Sequence, residues 1–226
     1  MKEETFKRCV YVVLFLLIML FYTKDIPFFR THFYEDIQKI EHPESISVLV
    51  NKNHQLPEDY IPSDLEKISL DYAAEEQYMR KEAKEQFERL SEDARQIGYQ
   101  IVASSTYRSY MYQERLYHYY IETKGLDYAD LCSARPGHSE HQTGLSLDVM
   151  GSNQDYDEFA SSIEFPWMKE NAHKYGFILR YPKGKENITG FKYEPWHYRY
   201  VGIEIATIIY ENNWTLEEYY EEIDQS

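Results

Sequence analysis

Two segments of this 226-residue chain concentrate side chains that bind metals and move protons. Ser133 to Val149 reads SARPGHSEHQTGLSLDV, with His141 in a Gly/Pro-containing loop and Asp148 seven residues later. An imidazole nitrogen and a carboxylate oxygen are both good zinc ligands, at about 2.0–2.2 Å from the metal. Taken alone the pair says little, because a histidine near an aspartate is more often a hydrogen-bonded surface pair. Phe191 to Gly202, FKYEPWHYRYVG, adds His197, with Glu194 three positions earlier. His141, Asp148 and His197 together would give zinc three protein ligands and one open position, the pattern of a catalytic site and not of a closed structural one. Such a metal lowers the pKa of a water to about 7 and polarises a carbonyl. A carboxylate must then take the proton and deliver it to a leaving amine. Glu194 is the candidate, with the alternative that it only orients a histidine. In a regular strand Glu194 and His197 would face opposite ways. Pro195 opposes a regular ladder, so a turn is expected to bring both toward the metal.

The elements that must hold these groups are short and mixed. An apolar strand is expected near residues 46–50, followed by a proline-punctuated loop. Residues 71–97, rich in Ala, Glu, Lys, Arg and Gln, read as one amphipathic helix. Gln100 to Ser105 and Leu145 to Met150 read as strands, and Ser109 to Lys124 as a helix ended by Gly125. Asp157 to Tyr175 reads as a helix stopped by Gly176, with paired strands at 177–181 and 190–193. A β-prone stretch at 198–201 and helices at 202–211 and 215–222 complete the chain. No βαβ rhythm is visible, which predicts an α+β fold with a small antiparallel sheet flanked by helices.

Composition narrows the function. The net charge is −15, and a field of that sign repels a phosphate backbone, so nucleic acid is excluded as a partner. The two cysteines, Cys9 and Cys132, provide neither a disulfide framework nor a cysteine metal site. The 23 tyrosines suit a groove for a flexible polar ligand, or are simply surface bias. Residues 9–22 read CVYVVLFLLIMLFY behind Lys2, Lys7 and Arg8, the pattern of an export signal. No small-residue cleavage site follows, so an uncleaved signal anchor is expected over residues 1–24, with a stalk at 25–45 and the catalytic domain at 46–226. The basic flank would stay in the cytoplasm and the domain would lie outside it, single-pass in the cell membrane.

Four ordered motifs carry a family resemblance: STYRSYMYQ at 105–113, SARPGHSEHQTGLSLDV at 133–149, EFPWMKENAHKYGFILRYPKGKENITG at 164–190 and YEPWHYRYVG at 193–202. Across residues 47–202 the chain resembles the VanY-type D-alanyl-D-alanine carboxypeptidases and the LdcB-type L,D-carboxypeptidases, zinc peptidases of the hedgehog/D,D-peptidase fold. The resemblance implies Zn2+ on His141, Asp148 and His197, with Glu194 as catalytic base. The substrate it implies is a peptidoglycan stem peptide ending in D-alanine, cut by a monomer. It also gives Arg108 and Gln113 substrate contacts, with Ser139 adding a hydrogen bond. A guanidinium fork can hold a terminal carboxylate bidentately or stabilise an oxyanion. The alternatives are a non-catalytic zinc-containing wall-binding module and a D,D-dipeptidase or endopeptidase of the same fold. His138 is expected to be groove-lining or exposed, Trp167 core, and Arg180 either a substrate contact or a support for the sheet.

Overall fold

The computed structural model describes residues 33–224. The expected signal anchor and residues 25–32 lie outside the described residues. Among the described residues, no helix is long and apolar enough to cross a membrane.

The architecture is α+β. In chain order the strands are β1 (Gln38–Lys39), β2 (His54–Gln55), β3 (Leu65–Lys67), β4 (Tyr78–Arg80), β5 (Val102–Ser105), β6 (Ser146–Met150), β7 (Phe177–Leu179) and β8 (His197–Tyr200). The helices are α1 (Lys81–Gln96), α2 (Tyr110–Lys124), α3 (Leu126–Cys132), α4 (Phe165–Asn171), α5 (Glu186–Thr189), α6 (Ile203–Asn212) and α7 (Leu216–Asp224). The main sheet is antiparallel throughout, in the order β5-β6-β8-β7.

Strand alternation explains how this sheet carries both a core and a site. Successive side chains point to opposite faces. Leu147 and Val149 of β6, with Tyr198 and Tyr200 of β8, enter the main core beside Phe87, Leu90 and Phe177. The intervening Ser146, Asp148, His197 and Arg199 therefore share the other face, and all four are buried. The core side is closed by α1, whose Ala83, Phe87, Leu90, Ser91 and Ala94 are buried at helical spacing. Burying the Phe87 side chain contributes about 1.5–3 kcal/mol.

Several sequence expectations are corrected. The helix expected at 71–97 begins only at Lys81, because Tyr78–Arg80 pairs antiparallel with Leu65–Lys67. Helical composition there loses to a long-range pairing with Met79 in the core. The segment 46–50 forms no strand, although Val48 and Val50 are buried with Leu56. The helix expected at 157–175 is broken. Short 3-10 turns at Phe159–Ser161 and Ala172–Tyr175 flank α4, which starts after an extended Ser162 and carries Pro166 in its first turn. Residues 190–193 do not pair with β7. Lys192 N–H donates to Leu131 O, Glu194 N–H donates to Tyr181 O, and β8 takes the place beside β7.

The stalk boundary also moves. Residues 33–45 of the expected stalk join the domain, with β1 pairing in parallel with β2. Tyr34 N–H donates to Asn53 Oδ1 at 2.9 Å, and the Arg135 guanidinium lies 3.9 Å over the Tyr34 ring. Lys52 Nζ sits over the rings of Phe33, Tyr34 and Phe191. Aromatic residues that read as tether composition thus serve as packing surface for a cation.

Candidate active site

Strand pairing brings the metal-binding residue types together. Asp148 and His197 are register partners on β6 and β8, and Ser105 is the partner of Asp148 on β5. His141 arrives from the 3-10 turn Glu140–Thr143, which ends at Gly144 in the left-handed region. A Cβ on Gly144 would come within 2.8 Å of Leu65 Cδ2 and 3.1 Å of Arg80 Cγ, so the turn between His141 and Asp148 fits only glycine there without movement.

The donor atoms converge. His197 Nδ1 lies 2.9 Å from Asp148 Oδ1, and His141 Nε2 lies 3.4 Å from Asp148 Oδ2. One ligand atom from each of the three residues falls within 4.8 Å of the others, and all three residues are buried. Each imidazole is held from behind. His141 Nδ1–H donates to Thr106 O at 2.6 Å, which turns Nε2 toward the site. His197 Nε2 stands 3.5 Å from Glu140 Oε2, which leaves Nδ1 facing Asp148. Hydrogen bonds of this kind fix tautomer and ring direction in metal sites. Two imidazoles, one carboxylate and an open cleft in front of them fit a zinc ion with one free position.

The electrostatics are uneven in a useful way. Burial, with Arg108 nearby, pushes His141 down to about 4. Burial also works against a charged His197, but hydrogen bonds to Asp148 and Glu140 raise it to about 9. Burial opposes ionisation of Asp148 too, yet the His141 and Arg108 charges hold it well below the ordinary carboxylate range. Glu194 behaves oppositely. It is buried, and desolvation pushes its carboxyl up to about 7 despite the neighbouring His197. A carboxylate poised near neutrality is suited to accept and release a proton. The expected turn exists: His197 N–H donates to Glu194 O at 3.1 Å, around Pro195 and Trp196.

These groups open onto a cleft of about 610 Å³ that Arg108, Gln113, Ser139, Tyr181, Glu194 and Trp196 help to line. Arg108 Nη2 donates to Asp148 Oδ2 at 2.6 Å and to Ser105 Oγ at 2.8 Å, and Nε donates to Ser105 at 2.9 Å. Among the described residues Nη1 has no protein acceptor, so one arm of the fork is available to a ligand. Gln113 is buried and fastens α2 to the loop before His138, with Nε2 donating to Ser133 Oγ and Ala134 O. Its Oε1 is buried without a partner among the described residues. Ser139 is buried at the start of the turn that carries His141.

Other expectations resolve differently. His138 is buried, and its Nδ1 lies 2.8 Å from Asn51 O beside the Tyr34 ring, so it is neither exposed nor part of the donor cluster. Trp167 packs against the core. Arg180 is fully buried and takes the supporting role: Nε donates to Glu140 Oε1 at 2.8 Å, and its two Nη atoms pair with Glu217. Sequence reasoning missed Glu140, which is buried between Arg180 and Arg199. Burial would raise its carboxyl, but those two guanidiniums hold it ionised. A glutamate beside a histidine carries no local signal of such partners, which come from 40 and 59 residues away.

The family model described as VanY, D-alanyl-D-alanine carboxypeptidase, matches residues 76–203. The Bacillus subtilis (strain 168) protein YodJ is 41% identical over 207 residues, covering 86% of this chain and 76% of YodJ. The solved LD-carboxypeptidase LdcB is similar at a TM-score of 0.77 and 42% identity, over 83% of this chain and 91% of LdcB. A Zn(II) complex of the D,D-pentapeptidase VanY from a VanB-type vancomycin-resistance cassette, with one glutamate replaced by alanine, is similar at a TM-score of 0.65 and 33% identity. That match covers 77% of this chain and 98% of the other.

Proposed function

The chain belongs to the VanY D-alanyl-D-alanine carboxypeptidase family, and from that premise we propose specific roles for the residues around its cleft. The protein is a zinc carboxypeptidase that removes a terminal D-alanine from peptidoglycan stem peptides. His141 Nε2, an Asp148 oxygen and His197 Nδ1 would hold the zinc. When bound, the ion supplies Lewis-acid polarisation of the scissile carbonyl and lowers the pKa of a water. Glu194 takes the proton from the attacking water as the C–O bond forms. It returns that proton to the amine nitrogen as the C–N bond breaks, releasing free D-alanine. Arg108, fixed by Ser105 and Asp148, presents Nη1 to the substrate's terminal carboxylate or to the developing oxyanion. Gln113 and Ser139 line the cleft beside the path of the peptide backbone.

The convergence of three zinc-type donors beside a glutamate poised near neutrality carries this assignment. It also disfavours a non-catalytic wall-binding module, which needs neither Glu194 nor a free arm of Arg108. The LdcB similarity, at higher identity and TM-score than the VanY complex, supports L,D cleavage of tetrapeptides over D,D cleavage of pentapeptides. The test incubates the zinc-loaded full chain with both muropeptides and follows D-alanine by mass spectrometry. Release from the tetrapeptide is expected, and release only from the pentapeptide would assign D,D specificity. Equal trace release by wild type and Glu194→Ala would remove the catalytic reading, and release of a dipeptide would indicate a dipeptidase.

The apolar run at 9–22 behind Lys2, Lys7 and Arg8 supports a single-pass anchor with the domain outside the cytoplasm. Protease added to intact cells should digest the domain, whereas full protection would reject this placement.

A further inference from the structure

We propose that the last helix is part of the metal centre, with Glu217 on α7 fixing the His197 ring through Arg180 and Glu140. The inference rests on the assignment of His197 as a zinc ligand and adds a positioning residue beyond residues 76–203, where the family match ends.

The contacts form an unbroken chain. Glu217 Oε1 and Oε2 accept from Arg180 Nη2 and Nη1 at 2.6 and 2.8 Å. Arg180 Nε donates to Glu140 Oε1 at 2.8 Å, and Arg199 Nη1 donates to the same oxygen at 2.9 Å. Glu140 Oε2 faces His197 Nε2 at 3.5 Å and accepts from Ser146 Oγ at 3.3 Å. Arg180, Arg199 and Glu140 have fully buried side chains, and Glu217 is buried as well. Two guanidiniums thus balance two carboxylates, with only Glu217 touching water.

Balance is what makes the arrangement consequential. A buried charge is tolerable only when paired. Neutralising Glu217 would leave two guanidiniums sharing one carboxylate beside a site that must accept a dication. It would also free one side of Arg180 and loosen the carboxylate that sets the His197 ring. A merely structural ion pair would alter stability. A positioning relay also alters zinc affinity and the surroundings of the His197 ring.

The test compares the full chain with Glu217→Gln and with Glu218→Gln, which lies next to Glu217 on α7 and breaks its own pair with Lys185. Zinc affinity is read by competition with a chelating dye. The His197 ring nitrogens are read by 15N NMR, and melting temperature is followed in parallel. Glu217→Gln should bind zinc about 10–100-fold more weakly and shift the His197 ring nitrogen resonances. Glu218→Gln should lower the melting temperature at most, with zinc affinity unchanged. Wild-type zinc affinity in folded Glu217→Gln, or equal weakening in both variants, would overturn the relay while leaving the carboxypeptidase assignment intact. If Glu217→Gln fails to fold, Glu217→Asp decides by the same reading: weaker zinc binding supports the relay and unchanged binding overturns it. A wild-type chain that takes up no zinc would remove the ligand assignment and the relay with it.

Discussion

Asp148 and His197 face each other across adjacent antiparallel strands, and their side chains meet with Oδ1 2.9 Å from Nδ1. Register alone places two ligand types at one spot, because any residue opposite Asp148 on β8 must project to the same face. Asp148 also receives Arg108 and lies beside His141, so one carboxylate ties together three strand or loop segments. Asp148→Asn keeps the shape and removes the charge. It should abolish equimolar zinc by metal analysis and leave activity at background, while far-ultraviolet circular dichroism stays native.

As the proposed base, Glu194 is expected to set the acid side of the pH profile. Burial pushes its carboxyl up to about 7, and the positive charge of bound zinc pulls it back down. The base must be ionised, so kcat/KM should fall as pH drops through a value below 7 in the loaded enzyme. Glu194→Gln should lose about 10²–10⁴-fold in kcat with unchanged zinc stoichiometry. An acid limb that persists unchanged in the residual activity of Glu194→Gln would show that another group is the base.

Arg108 divides its guanidinium between Asp148 and the cleft, a geometry that a single ammonium cannot reproduce. Arg108→Lys should lower kcat/KM by about 10²–10³-fold. A loss confined to KM indicates a contact to the terminal carboxylate, and an equal loss in kcat indicates the oxyanion.

Gly144 turns the chain between His141 and Asp148 with φ of 67°. Gly144→Ala adds left-handed strain and a clash with Leu65, so it should cost about 1–3 kcal/mol in urea unfolding and weaken zinc uptake. Gly98→Ala, where nothing lies within 4 Å of the added carbon, carries the strain without the clash and should leave zinc uptake unchanged.

How much of this was legible follows from the range of the interactions. His141, Asp148, Glu194 and His197 stand in two short motifs of uncommon residue types, so their grouping could be read locally. The β6 and β8 strands could be read from alternation, as in Leu147–Asp148–Val149. The helix at 71–97 could not be placed correctly, because the backbone pairing of Met79 with Glu66 overrides helical composition from outside the window. Glu140 and Glu217 were equally opaque. In SEHQ and LEEYYEEID a glutamate reads as a solvated charge, and only the folded sheet brings Arg180 and Arg199 to them. Residues 33–45 were misread for the same reason: Tyr34 has its partners, Asn53 and Arg135, 19 and 101 residues away.

The strand that carries His197 is the last of the eight to be synthesised, yet it fills an interior position between β6 and β7. A nascent chain that stops before residue 197 holds His141 and Asp148 but leaves two sheet edges open and the donor set one short. The three-donor set and the closed main sheet are therefore completed by the same strand, β8.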